Sequence, residues 1–159
     1  MALRMRSPLP SLEGATAWVN GEPSPEELRG LPVVVSFWSK SCYLCHDTAE
    51  QFGEWRDKFA KRGVAFVAVH QPRSEDELDV EAVTADAIEE MKLVQPIAID
   101  NEHAIVGRFE NQFVPAFYVF NREHQLRHFQ AGGKGFERIE AAIERVLDES
   151  AEDATMPLA

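Results

Sequence analysis

Val33-Val34-Val35-Ser36-Phe37-Trp38-Ser39-Lys40-Ser41-Cys42-Tyr43-Leu44-Cys45 is the stretch on which the reading of this chain turns. Its first six residues are mostly β-branched or aromatic with little alternation, the pattern of a strand covered on both faces. Beyond it, Leu44, Cys45, Ala49, Phe52, Trp55 and Phe59 recur at helical spacing with polar residues between them, and Gly63 supplies a stop. A strand thus passes into a long helix, and both cysteines fall at the junction. A helix N-terminus has unpaired amide N–H groups and a partial positive charge. A thiolate at Cys42 is stabilised there, so its pKa is expected below that of free cysteine, with Lys40 two residues earlier assisting. Cys45 shares the apolar face of Ala49, Phe52 and Phe59 and is expected to be the more buried, less reactive thiol. A spacing of three sets the sulfurs one helical turn apart, within bridging reach.

Downstream the chain keeps alternating. Val64–Val69 reads as a second buried strand, residues 70–80 as a polar loop, Val80–Leu93 as a helix and Ile97–Ile99 as a short strand. A helix carrying Ile105 and Phe109 follows. Ala116–Phe120 and Leu126–Gln130 form a hairpin through Asn121–Gln125. Gly132, Gly133 and Gly135 lead into an amphipathic helix with Phe136, Ile139, Ile143 and Val146 on one face. The order predicts an α/β fold: a mixed central sheet with helices on both faces. Upstream, Asn20-Gly21 after Ala17-Trp18-Val19 predicts an N-terminal β-hairpin extension within residues 1–31, since both residues tolerate the positive φ of a type I′ turn. Residues 1–148 are expected to form one domain, and residues 149–159 a flexible acidic tail.

The 159 residues carry 16 basic and 27 acidic side chains, a formal charge of −11. That balance argues against nucleic acid, whose affinity rests on clustered Lys and Arg, and against an anionic membrane surface. No stretch approaches the run of about 18 apolar residues that a membrane helix needs. The basic start is followed by Pro8, Pro10 and Glu13 where a secretory signal would be apolar, so a cytoplasmic location is expected. Two cysteines in a reducing compartment point to catalysis or metal binding rather than to a structural staple.

Phe37-Trp38 ahead of Cys42-x-x-Cys45, with Val114-Pro115-Ala116 preceding a later strand, resembles the thioredoxin superfamily, specifically its TlpA/ResA branch. The order of elements resembles that family along nearly the whole chain. Residues 67–76, 109–111 and 126–133 resemble a cytosolic member of that branch from bacilli. The resemblance implies a thioredoxin-like fold and a thiol–disulfide oxidoreductase, most simply a disulfide reductase, that needs no cofactor. It implies that Cys42 attacks a substrate disulfide, that Cys45 resolves the mixed disulfide, and that the backbone of Val114 pairs with the substrate beside a cis Pro115. Trp38, Tyr43 and Leu44 are expected along the same groove, although Trp38 also reads as core. The implied partners are protein or small-molecule disulfides and an electron donor, either a reductase or a low-molecular-weight thiol.

The chain departs from the family at several places. Ser36 stands where thioredoxin has a buried Asp. Ser41 replaces the Trp before the first cysteine, Tyr43-Leu44 replaces Gly-Pro, and Thr48 stands where ResA-type chains have a Glu. Asp47, Glu50 or water are the candidates for proton transfer. Two other readings compete. One is a thioredoxin-fold adaptor or redox sensor without turnover. The other takes Cys42-x-x-Cys45-His46 as a c-type haem attachment motif. His46 otherwise reads as a solvent-facing first-turn residue, His70 as a loop residue packing on Pro72 in preference to a strand-end residue on the site edge, and Glu75-Asp76-Glu77 as a solvated run at a helix entry in preference to a docking surface. The five histidines are scattered, and no metal site is expected.

Overall fold

The computed structural model describes residues 3–149 and arranges them around a six-stranded mixed sheet. In chain order the elements are β1 (Ala17–Val19), α1 (Pro25–Leu28), β2 (Val33–Trp38), α2 (Tyr43–Ala60), β3 (Ala65–His70), a 3₁₀ turn (Glu75–Leu78), α3 (Val80–Ala85), β4 (Ile97–Ile99), α4 (Ala104–Phe109), β5 (Ala116–Phe120), β6 (Leu126–Ala131) and α5 (Phe136–Asp148). The strands lie in the order β1-β4-β3-β2-β5-β6. β2 runs parallel to β3, and β3 to β4. β1, β5 and β6 join their neighbours antiparallel.

β2 is the central strand, and its unbroken apolar run follows from burial on both sides. Val33, Val35 and Phe37 face a cluster with Ile105, Phe109, Tyr118 and Phe120. Val34 faces the opposite cluster, in which Phe52, Trp55 and Phe59 of α2 meet Phe136, Ile139 and Ile143 of α5. Alternate side chains of a strand point to opposite faces, so one strand serves both layers. Phe37 meets Phe109 and Tyr118 edge-on, with ring centroids 5.1 and 5.5 Å apart.

Three expectations change. First, Asn20 and Gly21 have positive φ, 65° and 98°, but no local hairpin forms. β1 pairs instead with β4, Trp18 opposite Ala98, at the edge of the sheet. The Asn20 side-chain amide donates to the carbonyls of Leu93 and Gln95 at 3.2 and 3.1 Å, which pins the turn to the segment entering β4 rather than to a neighbouring strand. Second, the helix expected through Leu93 is α3 plus a π turn at Asp86–Glu90, ended by Lys92 at φ 53°. Third, Glu149, the first residue of the expected flexible tail, is anchored: its carboxylate accepts from Asn121 at 2.9 Å and Arg127 at 3.1 Å. Residues 150–159 lie outside the described residues. Among the described residues no helix is long and apolar enough to cross a membrane.

Candidate active site

Cys42 and Cys45 are joined as a disulfide where β2 turns into α2, with Cα atoms 5.3 Å apart. Cys42 is the N-cap. Its amide donates to the Ser39 carbonyl at 3.0 Å, and its sulfur accepts the Cys45 N–H at 3.1 Å. One of the unpaired donors of the helix start is therefore aimed at the Cys42 sulfur, the arrangement that stabilises a thiolate. The expected contrast in burial is absent from this oxidised form: Cys42 is 4% exposed and Cys45 3%. Both pack in one cluster with Trp38, Ala49, Met91 and Leu93.

The Val114–Pro115 peptide is cis. Val114 packs against the cluster that holds the disulfide, and Pro115 lines a small cavity together with Cys45 and Trp38. The Pro115 carbonyl accepts from Gly132 at 2.9 Å, whereas the Val114 N–H and C=O have no hydrogen-bond partner among the described residues. Asn111 fixes this loop. Its side-chain amide donates to the Phe113 carbonyl and to Gln71 Oε1, both at 2.8 Å, and its oxygen accepts the Tyr118 hydroxyl at 2.9 Å. Tyr43 and Leu44 stand exposed between the two cysteines, and Phe113 stands exposed directly before Val114. A Cβ on Gly133 would lie 3.3 Å from Leu44, so glycine lets the strand-to-helix connection pass close beside this rim. Trp38 is buried and lines that cavity, and its ring meets His70 edge-on at 4.7 Å.

Beneath the turn 39–41 lies a group of polar residues that the sequence reading placed elsewhere. His70 is fully buried, not a loop residue on Pro72, and its Nε2 accepts the Lys40 N–H at 3.1 Å. Burial pushes its pKa down to about 4, although the Glu77 and Asp86 carboxylates pull the other way. Glu77 is buried at 3% exposure, not solvated. Its Oε1 accepts the Ser41 N–H at 3.1 Å. Its Oε2 accepts the Ser41 hydroxyl at 2.9 Å and the Arg73 N–H at 3.0 Å. Burial alone would raise the Glu77 pKa. The amides of Ser41 and Arg73 and the Ser41 hydroxyl outweigh it, and the net direction is below the ordinary carboxylate value. His46 does not face open solvent. Its Nδ1 lies 2.8 Å from the Cys42 carbonyl and its Nε2 2.8 Å from Asp86 Oδ2, which the π turn brings to the start of α2. The signals for these residues were weak: a histidine ending a buried strand, and an acid four residues after an arginine.

The cavity beside Cys45 is lined on its polar edge by Ser36, Thr48 and Gln95. Asp47 and Glu50 are exposed on α2 and neither lines it. The Lys40 side chain is exposed as well. A haem thioether pair would need both sulfurs, which here bond each other, and both nitrogens of His46 are engaged by protein oxygens. Among the described residues no group of three or more His, Cys, Asp or Glu is placed to hold a metal ion.

Comparison with known proteins fits this geometry. Residues 6–129 match the AhpC/TSA family. The chain belongs to that family. It is 46% identical to the thiol–disulfide oxidoreductase YkuV of Bacillus subtilis over 93% of this chain and 99% of that protein. The thiol–disulfide oxidoreductase ResA of Bacillus cereus is 21% identical over 76% of this chain and 66% of its own length. A solved thioredoxin-like protein in its oxidised form superposes with a TM-score of 0.81 at 46% identity, covering 92% of this chain and 98% of that one. A thiol–disulfide isomerase from Corynebacterium glutamicum, at 22% identity and a TM-score of 0.77, shares the fold. The protein is a thiol–disulfide oxidoreductase of the thioredoxin-like type.

Proposed function

We propose that the protein is a disulfide reductase in which Cys42 is the nucleophile and Cys45 the resolving thiol. In the reduced protein the Cys42 thiolate attacks one sulfur of a substrate disulfide. The substrate S–S bond breaks, the departing thiolate takes up a proton, and Cys42 is left in a mixed disulfide. Cys45, having lost its proton, attacks the Cys42 sulfur. The second substrate thiolate leaves, and two electrons have passed from the cysteine pair to the substrate. An electron donor, a reductase or a low-molecular-weight thiol, then returns the Cys42–Cys45 bridge to the dithiol.

The observation that carries this reading is the Cys45 N–H aimed at the Cys42 sulfur at the first turn of an 18-residue helix. The unpaired Val114 N–H and C=O support a docking mode in which an extended substrate segment adds antiparallel to the cis-proline loop. The exposed rings of Tyr43 and Phe113 and the side chain of Leu44 suit apolar residues flanking a protein disulfide. Thr48 is an unsuitable base, because its hydroxyl donates to the Leu44 carbonyl at 2.8 Å. A water in the cavity between Ser36, Thr48 and Gln95 is the proton acceptor we assign to Cys45, in place of Asp47 or Glu50. A reducing role fits a cytoplasmic setting, where thiols are kept reduced.

A Cys45→Ser variant tests the assignment. It is expected to accumulate mixed disulfides that involve Cys42, while Cys42→Ser accumulates none and loses insulin reduction. Equal trapping by both variants would overturn the division of roles. A midpoint potential near about −120 mV instead of about −270 mV would overturn the reducing direction.

A further inference from the structure

We propose that the buried carboxylate of Glu77 is a positioning residue for thiol exchange, holding the turn that presents Cys42 and disfavouring the Cys42 thiolate, so that it keeps the protein on the reducing side. The inference rests on Cys42 being the attacking thiol.

Glu77 reaches the turn from another part of the chain, 36 residues beyond Ser41. Both carboxylate oxygens are used. They take the backbone N–H and the hydroxyl of Ser41, the residue directly before Cys42, and the N–H of Arg73. A buried charge is costly unless it is paired with an opposite charge or well hydrogen-bonded. Here every hydrogen bond comes from a neutral group. The Arg73 guanidinium stops at the Ser41 hydroxyl, at 3.0 and 3.2 Å, and makes no direct contact with the carboxylate. His70 Nε2 lies 3.5 Å from Glu77 Oε1 but already accepts the Lys40 N–H, which is the binding mode of a neutral imidazole. The groups that face this pair are Lys40 on the turn, Arg73 on the loop and Asp86 on the π turn. Among the described residues no Lys or Arg makes a direct ion pair with Glu77, and with His70 neutral its charge acts on the turn it holds, whose next residue is Cys42.

Thioredoxin's buried Asp aligns with Ser36, on the Cys45 side of the site. Glu77 lies on the opposite side, under the residues before Cys42. The sign follows from electrostatics. A like charge disfavours ionisation, so Glu77 opposes the Cys45 N–H that stabilises the same thiolate. A reduced form with a less stable thiolate gives up its electrons more readily. A reduced form with a stabilised thiolate makes an oxidant. The Glu77 carboxylate touches the residue directly before Cys42, and a like charge within about 10 Å at an effective dielectric of about 20 moves a thiol by about one pH unit.

The test is the pH profile of Cys42 alkylation in the reduced protein, with the labelled cysteine identified by mass spectrometry, together with the equilibrium against glutathione. Glu77→Gln keeps the acceptor for the Ser41 N–H and removes the charge. Its alkylation midpoint is expected to fall by about one pH unit, and its equilibrium to shift about tenfold toward the dithiol at a pH where the thiolate predominates, or about 30 mV. Glu77→Asp, which restores the charge, is expected to return both toward wild type, a rescue that a merely structural role would not give. Arg73→Met, at an exposed side chain, removes the partial offset to Glu77 and is expected to raise the midpoint. If Glu77→Gln does not fold, the wild-type midpoint decides: a value near or above about 7, as in thioredoxin, supports the proposal, and a lower one, toward about 3.5 as in DsbA, overturns it. In a folded Glu77→Gln variant, labelling at Cys42 with an unmoved midpoint and equilibrium overturns the role of Glu77. Faster labelling at Cys45 than at Cys42 overturns Cys42 as the nucleophile.

Discussion

Acidification should destabilise this protein through His70 well before its carboxylates titrate. His70 is fully buried, with a folded-state pKa of about 4 against an ordinary value of 6.5. The unfolded chain therefore binds a proton at this site between those limits and the folded chain does not. Stability from the depressed pKa is complete above 6.5 and is lost as pH falls toward 4. Working the linkage through, the loss is about 2 kcal/mol between pH 7.5 and 5, and about 3 kcal/mol by pH 3. Glu77 adds no slope in the upper window. Its folded pKa lies below the ordinary value of 4.5, so its own contribution is present above 4.5 and fades only below it. Protonation also has a structural price, because a proton on Nε2 removes the acceptor of the Lys40 N–H. The assay is urea unfolding of the oxidised protein at half-unit steps from pH 7.5 to 5, beside His70→Gln, whose side-chain oxygen can take over that acceptor role. Subtracting the two curves cancels every other titrating group. The difference should fall by about 2 kcal/mol toward pH 5. A flat difference would refute the account of His70 as a buried neutral imidazole.

Two further perturbations bear on the cis-proline loop and the exposed rim beside it. Asn111→Ala strips the partners from the Tyr118 hydroxyl and the Phe113 carbonyl, both held at 2.8 to 2.9 Å, so it should cost about 2 to 4 kcal/mol in urea unfolding and lower kcat/KM. Tyr118→Phe, which removes one donor and leaves the rest, should cost about 1 kcal/mol. Tyr43→Ser deletes a ring that is 78% exposed beside the disulfide. It should raise KM for insulin severalfold while leaving reduction of a small aromatic disulfide and the unfolding midpoint unchanged.

The strand-to-helix junction was legible because its signals are local. Six residues of β2 carry their burial in their composition, and Cys42 and Cys45 sit within one turn of the helix that follows. Val114-Pro115 was legible through family resemblance alone, since nothing in the spacing of a proline fixes its isomer. His70 and Glu77 were not legible. Each meets the turn before Cys42 across 30 or more residues, and such contacts leave no periodic trace. Glu77 follows two other acids, and in composition a buried carboxylate looks like a solvated one. Asn20-Gly21 misled for a related reason. Its backbone takes the positive φ that its chemistry favours, but the partner of β1 was decided at the edge of the sheet, where β4 presented a free side.

Gln71 explains why the two halves of the site stay in register. It follows the last residue of β3, and its amide donates to the Trp38 carbonyl at 2.8 Å, extending the β2–β3 ladder by one bond. Its carbonyl accepts the Ser39 hydroxyl, which ties down the turn before the disulfide. Its side-chain oxygen accepts from Asn111, and the same Asn111 nitrogen holds the Phe113 carbonyl beside the cis proline. The turn before Cys42 and the cis-proline loop therefore hang on one residue at the carboxyl end of a parallel strand, the edge where open α/β sheets place their sites. Side chains locked by such second contacts keep a reactive pair aligned with a substrate strand. The arrangement leaves the rim free to vary. Tyr43, Leu44 and Phe113 make none of these bonds through their side chains, so under the proposed docking mode substitutions there should alter partner choice without disturbing the paired cysteines.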